Sequence, residues 1–333
     1  MGIIFSSTPP VPSPSDALPL PNELLALVLS FLDPVDSVAA SRVQRLWRAF
    51  APPPCAFAPP PCAFGPCYIA ELAARGHLKL IQWATAQGCP FNWHAPAKAA
   101  RHGHLDVLQW FCDNGRLCNT YIFADAAEGG RLDVLQWLYA NRCPWDANAC
   151  ASAARHGHLH ALQWLRDNGC PWDTRVCASA AAGGHIAVIQ WLRANQCPWD
   201  LRACDHAAKH GHVDAVKWLV DDGCPLSQTL CAAAASAGSL DLLHWLRARG
   251  CPWDATACAA AAKNGHLDVL QWLRANQCRW DEWTCHGATM WGHLDVLQWA
   301  RANGCPWDAP VCSCFARRHP ALFAWMHANT TSP

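Results

Sequence analysis

A glycine recurs at Gly76, Gly103, Gly130, Gly157, Gly184, Gly211, Gly238, Gly265 and Gly292, and every step is 27 residues. Seven positions after each stands a tryptophan: Trp83, Trp110, Trp137, Trp164, Trp191, Trp218, Trp245, Trp272 and Trp299. Nine copies in strict phase rule out a conventional single-core domain and demand one supersecondary unit stacked on itself. A tenth, degraded copy follows, in which Ala321, Leu322, Trp325 and Met326 keep the apolar spacing while Arg318 and His319 replace Gly-His. A terminal unit is expected to depart from the pattern, because one of its faces has no neighbour.

The unit from Cys143 to Gly169 shows how each copy should fold. Asp146 can cap a first helix that runs through Ala153 and Ala154 and stops near Gly157. Leu159, Ala161, Leu162, Trp164 and Leu165 then form an apolar stripe at helical spacing, interrupted by polar Gln163 and Arg166. An Asp in the first turn of this second helix (Asp106, Asp133, Asp214, Asp241, Asp268, Asp295) suits the positive end of the helix dipole. Asn-Gly closes the helix, and Pro171 prevents its continuation. Helices of about ten residues are marginal alone. The expected fold is therefore an all-α solenoid of nine helix-turn-helix repeats with a degenerate C-terminal cap, filling residues 67–333.

The copies resemble ankyrin repeats. That family's helix pattern is matched by Cys258, Ala261, Ala262, Gly265, His266, Leu267, Asp268, Val269 and Leu270. Two features depart from it. The family's unit is usually about 33 residues, and here the link between units is six shorter, a Cys-Pro-Trp-Asp turn replacing the hairpin finger. The Thr-Pro-Leu-His opening is absent, with Cys at the Leu position. Short, Trp- and Cys-rich units of this kind resemble those of giant DNA viruses of amoebae.

Ahead of the repeats, Leu20, Pro21, Leu24, Leu25, Val28, Leu29 and Leu32 outline the apolar face of a helix that Pro21 can open. Asp33-Pro34 precedes a second helix, and Val43, Leu46 and Trp47 give a third apolar cluster. Residues 18–50 resemble an F-box, although Gln44 stands where that family often has Cys. The resemblance implies that the seven-residue apolar face docks on the Skp-type adaptor of a cullin-RING ubiquitin ligase. About 33 residues form too small a core to bury so many leucines, which leaves a face for a partner helix. A three-helix cap for the solenoid is the alternative. Residues 1–17 read as a disordered tail, and residues 51–66, with Ala-Pro-Pro-Pro-Cys-Ala-Phe written twice, as a semi-rigid polyproline spacer.

The chain holds 21 Cys and 20 Trp, and the period accounts for most of them. Zinc sites want Cys pairs about 2 to 4 residues apart, whereas Cys143 and Cys150 have six between them. Equivalent cysteines of adjacent units should lie about 8 to 10 Å apart, beyond the reach of a disulfide. Packing beside Ala is the expected role, with local pairs such as Cys143 and Cys150 left open. The ankyrin resemblance implies that the His of each Gly-His step bonds backbone at the turn. Spacing alone puts the second-helix Trp in the core, and Trp145, Trp172, Trp199, Trp253, Trp280 and Trp307 over the junction left by the shortened link.

Function follows largely by exclusion. Lys plus Arg (25) equals Asp plus Glu (25), so the composition supplies no basic surface for nucleic acid. The longest largely apolar run, residues 24–31, is far below the roughly 20 residues that span a bilayer. No secretory signal is recognisable, and the expected location is intracellular, in the cytoplasm or nucleus, of a host cell if the protein is viral. Met1-Gly2-Ile3-Ile4-Phe5-Ser6 fits an N-myristoylation pattern without a polybasic partner. No nucleophile, base and orienting acid stand apart from the repeats, so neither an enzyme nor a bound cofactor or metal is expected.

Repeat proteins bind through the positions that vary between copies. Here these fall on the first helix: Trp93, His94, Lys98, Tyr121, Asp125, Arg175, Arg202, Asp205, His206, Gln228, Glu282, Trp283 and His286. The ankyrin resemblance implies that this helix lines the concave face. The mixed charge of the set suits a protein or peptide target whose identity the sequence leaves unknown.

Overall fold

Ten pairs of short helices follow one another in a computed structural model that describes residues 68–86, 93–115 and 120–330. They run from Tyr68–Ala74 with Leu78–Ala86 to Ala309–Ala316 with Pro320–Thr330, and the described residues contain no strand. The N-terminal tail, the residues expected from the sequence to contact an adaptor (Leu20, Pro21, Leu24, Leu25, Val28, Leu29 and Leu32), and the proline-rich spacer lie outside the described residues.

Local chemistry sets each helix. The Asp146 side chain accepts from the Asn148 amide at 2.9 Å, and Asp173, Asp200, Asp254 and Asp281 cap their helices in the same way. Ser227 takes over this role for Gln228–Ser236. Most second helices end on an Asn such as Asn168, whose side-chain amide donates to the Trp164 carbonyl at 2.9 Å; Asp222 and Arg249 take its place in two of them.

First helices bury small residues, such as Ala149, Cys150, Ala153 and Ala154 of Ala147–Arg155. These let neighbouring first helices pack against one another along their length, whereas neighbouring second helices touch at few points. The first-helix row is thus the tight inner edge of the array and the second helices fan outward.

That fanning corrects one expectation. Leu162 and Leu165 are fully buried, but Trp164 and its equivalents at 110, 137, 191, 218, 245, 272 and 299 are only half-buried. They fill the wedge between splayed second helices from outside. The turn tryptophans complete the wedge, as the shortened link requires. The Arg166 guanidinium lies 4.2 Å from the Trp172 ring centroid, and Trp172 meets Trp191 edge-on at 5.9 Å. Arg247, Trp253 and Trp272 repeat the stack, as do Arg274, Trp280 and Trp299. Each cation–π contact at such a site contributes about 0.5 to 1 kcal/mol. From Trp145 onward one link lacks both partners: Val220 stands in the arginine position and Leu226 in that of the tryptophan.

The Gly-His step staples units rather than closing its own turn. His158 Nε2 lies 2.9 Å from the Glu128 carbonyl oxygen of the preceding unit, and His104, His212 and His266 reach Ala74, Ala182 and Ser236 likewise.

Candidate recognition surface

The inner row carries the variable first-helix residues, but it does not present them equally. Trp93 (52% exposed) caps His94–His102, its ring 3.6 Å from that of His94 and 5.9 Å from that of exposed Tyr121 on the next first helix. His94 is exposed, and Lys98 half-buried. Further along, Arg175 pairs with Asp173 at 2.8 Å and reaches Asn148 Oδ1 of the unit before. Arg202 repeats this with Asp200 and with Thr174 Oγ1 at 2.6 Å. These two arginines are exposed but already tie neighbouring units together.

Asp125 and Asp205 are half-buried. Burial raises both carboxyls above the ordinary range; the charge of Glu128 adds to the effect at Asp125, and a hydrogen bond from Thr229 opposes it at Asp205. Asp205 Oδ1 is buried without a hydrogen-bond partner. Its neighbour His206 is exposed, as are Gln228 and Glu282.

At the far end of the row Trp283 is 63% exposed, whereas His286 is 7% exposed and therefore does not belong to the accessible surface. Its ring packs edge-on against Trp283 and faces Phe315 of the terminal pair. The structure thus gathers Trp93, His94 and Tyr121 at one end and Glu282 with Trp283 at the other, separated by a polar middle. Exposed residues that escaped the sequence reading include Met290 and Trp291, the latter 56% exposed with the Lys263 ammonium 5.4 Å from its ring centroid. Trp291 precedes Gly292, where other copies have His102, His156, His210 or Asn264, so comparison of copies could have found it. Also unforeseen is the cluster in which Glu128 pairs with Arg101 and lies 3.3 Å from His156.

Several of the array's histidines resist protonation. Burial is the main cause at His77, His102, His185 and His206. At His185 a bond to the Arg155 backbone opposes this, while the charges of His212, His156 and His158 reinforce it. A histidine whose folded affinity for protons is depressed leaves the unfolded chain to take up protons first as pH falls through 6.5, so stability present above that value is lost below it. The melting temperature should therefore fall between about pH 7.5 and about pH 5.5. Asp125 and Asp205, whose carboxyls burial raises, act in the opposite sense. A flat or rising melting temperature across that window would contradict the assignment.

Among the described residues no group of three or more His, Cys, Asp or Glu is arranged to hold a metal ion, and no helix is long and apolar enough to cross a membrane. The cysteines pair, but not as Cys143 with Cys150. Cys150 is hydrogen-bonded to Cys170, twenty residues on in the next turn, and the same register recurs along the array.

A row of closely packed first helices backed by splayed second helices is the architecture of a helical-repeat protein. Known proteins make the class specific. The family model "Ankyrin repeats (many copies)" matches residues 123–166, 150–193, 177–220 and 230–274, and the F-box-like model matches residues 18–54. The array is an ankyrin-repeat solenoid, preceded by an F-box-like domain; both are interaction modules. Among solved structures, the human ASB11 ankyrin repeat domain is similar at 20% identity and a TM-score of 0.38, covering 47% of this chain and 84% of that one. No curated protein matches the chain.

Proposed function

We propose that this protein is an intracellular substrate receptor without catalytic chemistry of its own. Its F-box-like domain engages the Skp-type adaptor of a cullin-RING ubiquitin ligase, and the inner row of the ankyrin array holds a protein target for ubiquitin transfer. The observation that carries this reading is the order of modules: an F-box-like match at residues 18–54 in series with an array that exposes unlike side chains on one continuous row. Leu24 and Leu29 are the adaptor contacts on which the reading depends most. Exposed Trp93, Tyr121 and Trp283 are the target contacts expected to matter most, since aromatic anchors dominate interface energetics.

In an affinity capture with purified adaptor, the full chain should retain it, and Leu24→Asp with Leu29→Asp should lose it. Failure of the unaltered chain to retain adaptor would leave an interaction scaffold in which residues 18–50 only cap the solenoid.

A further inference from the structure

From Ala147–Arg155 to Glu282–Trp291 the period places one cysteine on each first helix and another in the turn that opens the next pair, twenty residues later. Six such pairs result: Cys150 with Cys170, Cys177 with Cys197, Cys204 with Cys224, Cys231 with Cys251, Cys258 with Cys278, and Cys285 with Cys305. All twelve residues are buried. In five pairs the first-helix thiol donates to the sulfur of the turn cysteine. The turn thiol in its turn faces the backbone carbonyl of the residue that caps the first helix, as Cys170 does with Asp146 at 3.4 Å and Cys278 with Asp254 at 3.2 Å. In the sixth pair, Cys204 and Cys224 are covalently bonded, with Cα atoms 7.0 Å apart. This is the outer limit of disulfide reach, and the other five pairs repeat the same register with their sulfurs in contact.

We propose that the six pairs are two-electron modification sites, a ladder of dithiols that a small-molecule disulfide converts into six cross-links, each fastening a first helix to the turn of the next unit. The turn cysteine is the nucleophile. Its thiolate is favoured by the hydrogen bond from the first-helix thiol, and in all five reduced pairs by an arginine of the second-helix row, such as Arg166 or Arg274. It attacks one sulfur of the oxidant, forming a mixed disulfide and expelling one thiolate, which takes up the proton the turn thiol released. The first-helix sulfur then attacks the turn sulfur and expels the second thiolate, which takes up the remaining proton. Two protein thiols are oxidised, and the external disulfide is reduced to two thiols. Because the pairs are buried, reaction waits on local opening of the Cys-Pro turn. The pair already bonded in the structure is the one whose link carries Val220 and Leu226 in place of the Arg-Trp stack.

The test uses the full-length chain, fully reduced, freed of reductant and incubated with oxidised glutathione to completion. Alkylation under denaturing conditions and peptide mapping then identify intramolecular links, which separates them from glutathione adducts on exposed Cys314. Links in all six pairs are expected, each with the loss of two hydrogens, together with a higher melting temperature that dithiothreitol reverses. Cys251→Ala should abolish one link and leave the other five. The proposal is overturned if any of the five pairs outside Cys204 and Cys224 stays reduced, or if links run in another register such as Cys143 to Cys150. The map of the unaltered chain decides the matter even if the variant fails to fold.

Discussion

Leu165→Ala is expected to destabilise the array by about 3 kcal/mol, whereas Trp164→Ala, one residue earlier, should cost only about 2 kcal/mol. Ring size alone would reverse this order. Leu165 has no exposure and lies between its own first helix and the neighbouring units, so truncation leaves a cavity that close-packed helices cannot collapse to fill. Trp164 is half-buried, with edge contacts to Tyr139 at 5.7 Å and Trp145 at 6.2 Å, and its removal opens a groove that water can enter. Thermal melts of both variants provide the measurement. A larger loss for Trp164→Ala would place the tryptophans in the core and contradict the fanned arrangement of second helices.

Gly157→Ala should cost about 2 to 3 kcal/mol, for two separable reasons. Gly157 has a φ of +78°, where a side chain costs about 1 to 2 kcal/mol. A Cβ there would also lie 2.6 Å from His185 Nδ1, displacing a ring bonded to the Arg155 backbone in the preceding unit. Losing that bond adds about 1 kcal/mol. Gly169→Ala is the control. Its φ of +84° imposes the same backbone cost, but no atom lies within 4 Å of the added carbon. Chemical denaturation should show Gly157→Ala to be the more damaging of the two, and equal losses would remove the histidine staple from the account.

The sequence disclosed the unit and its count because repetition exposes scaffold residues directly: the helix boundaries, the Asp caps and the left-handed glycines all follow from a single copy. Depth was less legible. Periodicity shows that Trp164 shares a face with Leu162 and Leu165, but the divergence of neighbouring second helices, which leaves its ring at the rim, is a property of the stack. The cysteine pairing was hidden for a related reason. Spacing within one unit points to packing and leaves local pairs such as Cys143 with Cys150 open, whereas the contact that forms depends on how the next turn folds back over a first helix. Position also concealed the burial of His286, which varies between copies as a contact residue would, yet is covered by Phe315 from the following pair. The aromatic end formed by Trp93 and Tyr121, by contrast, was readable residue by residue.

The substrate-receptor account requires one chain to hold adaptor and target together through separate surfaces. The most direct measurement is two-sided capture from cells expressing the tagged chain, with three forms compared: unaltered, Leu24→Asp with Leu29→Asp, and Trp93→Ala with Tyr121→Ala and Trp283→Ala. The account predicts that the unaltered chain brings down adaptor and a reproducible target whose ubiquitination depends on it. The leucine variant should keep the target and lose the adaptor, and the aromatic variant should do the reverse. Loss of both partners in either folded variant, or an unaltered chain that never recovers adaptor, would contradict it.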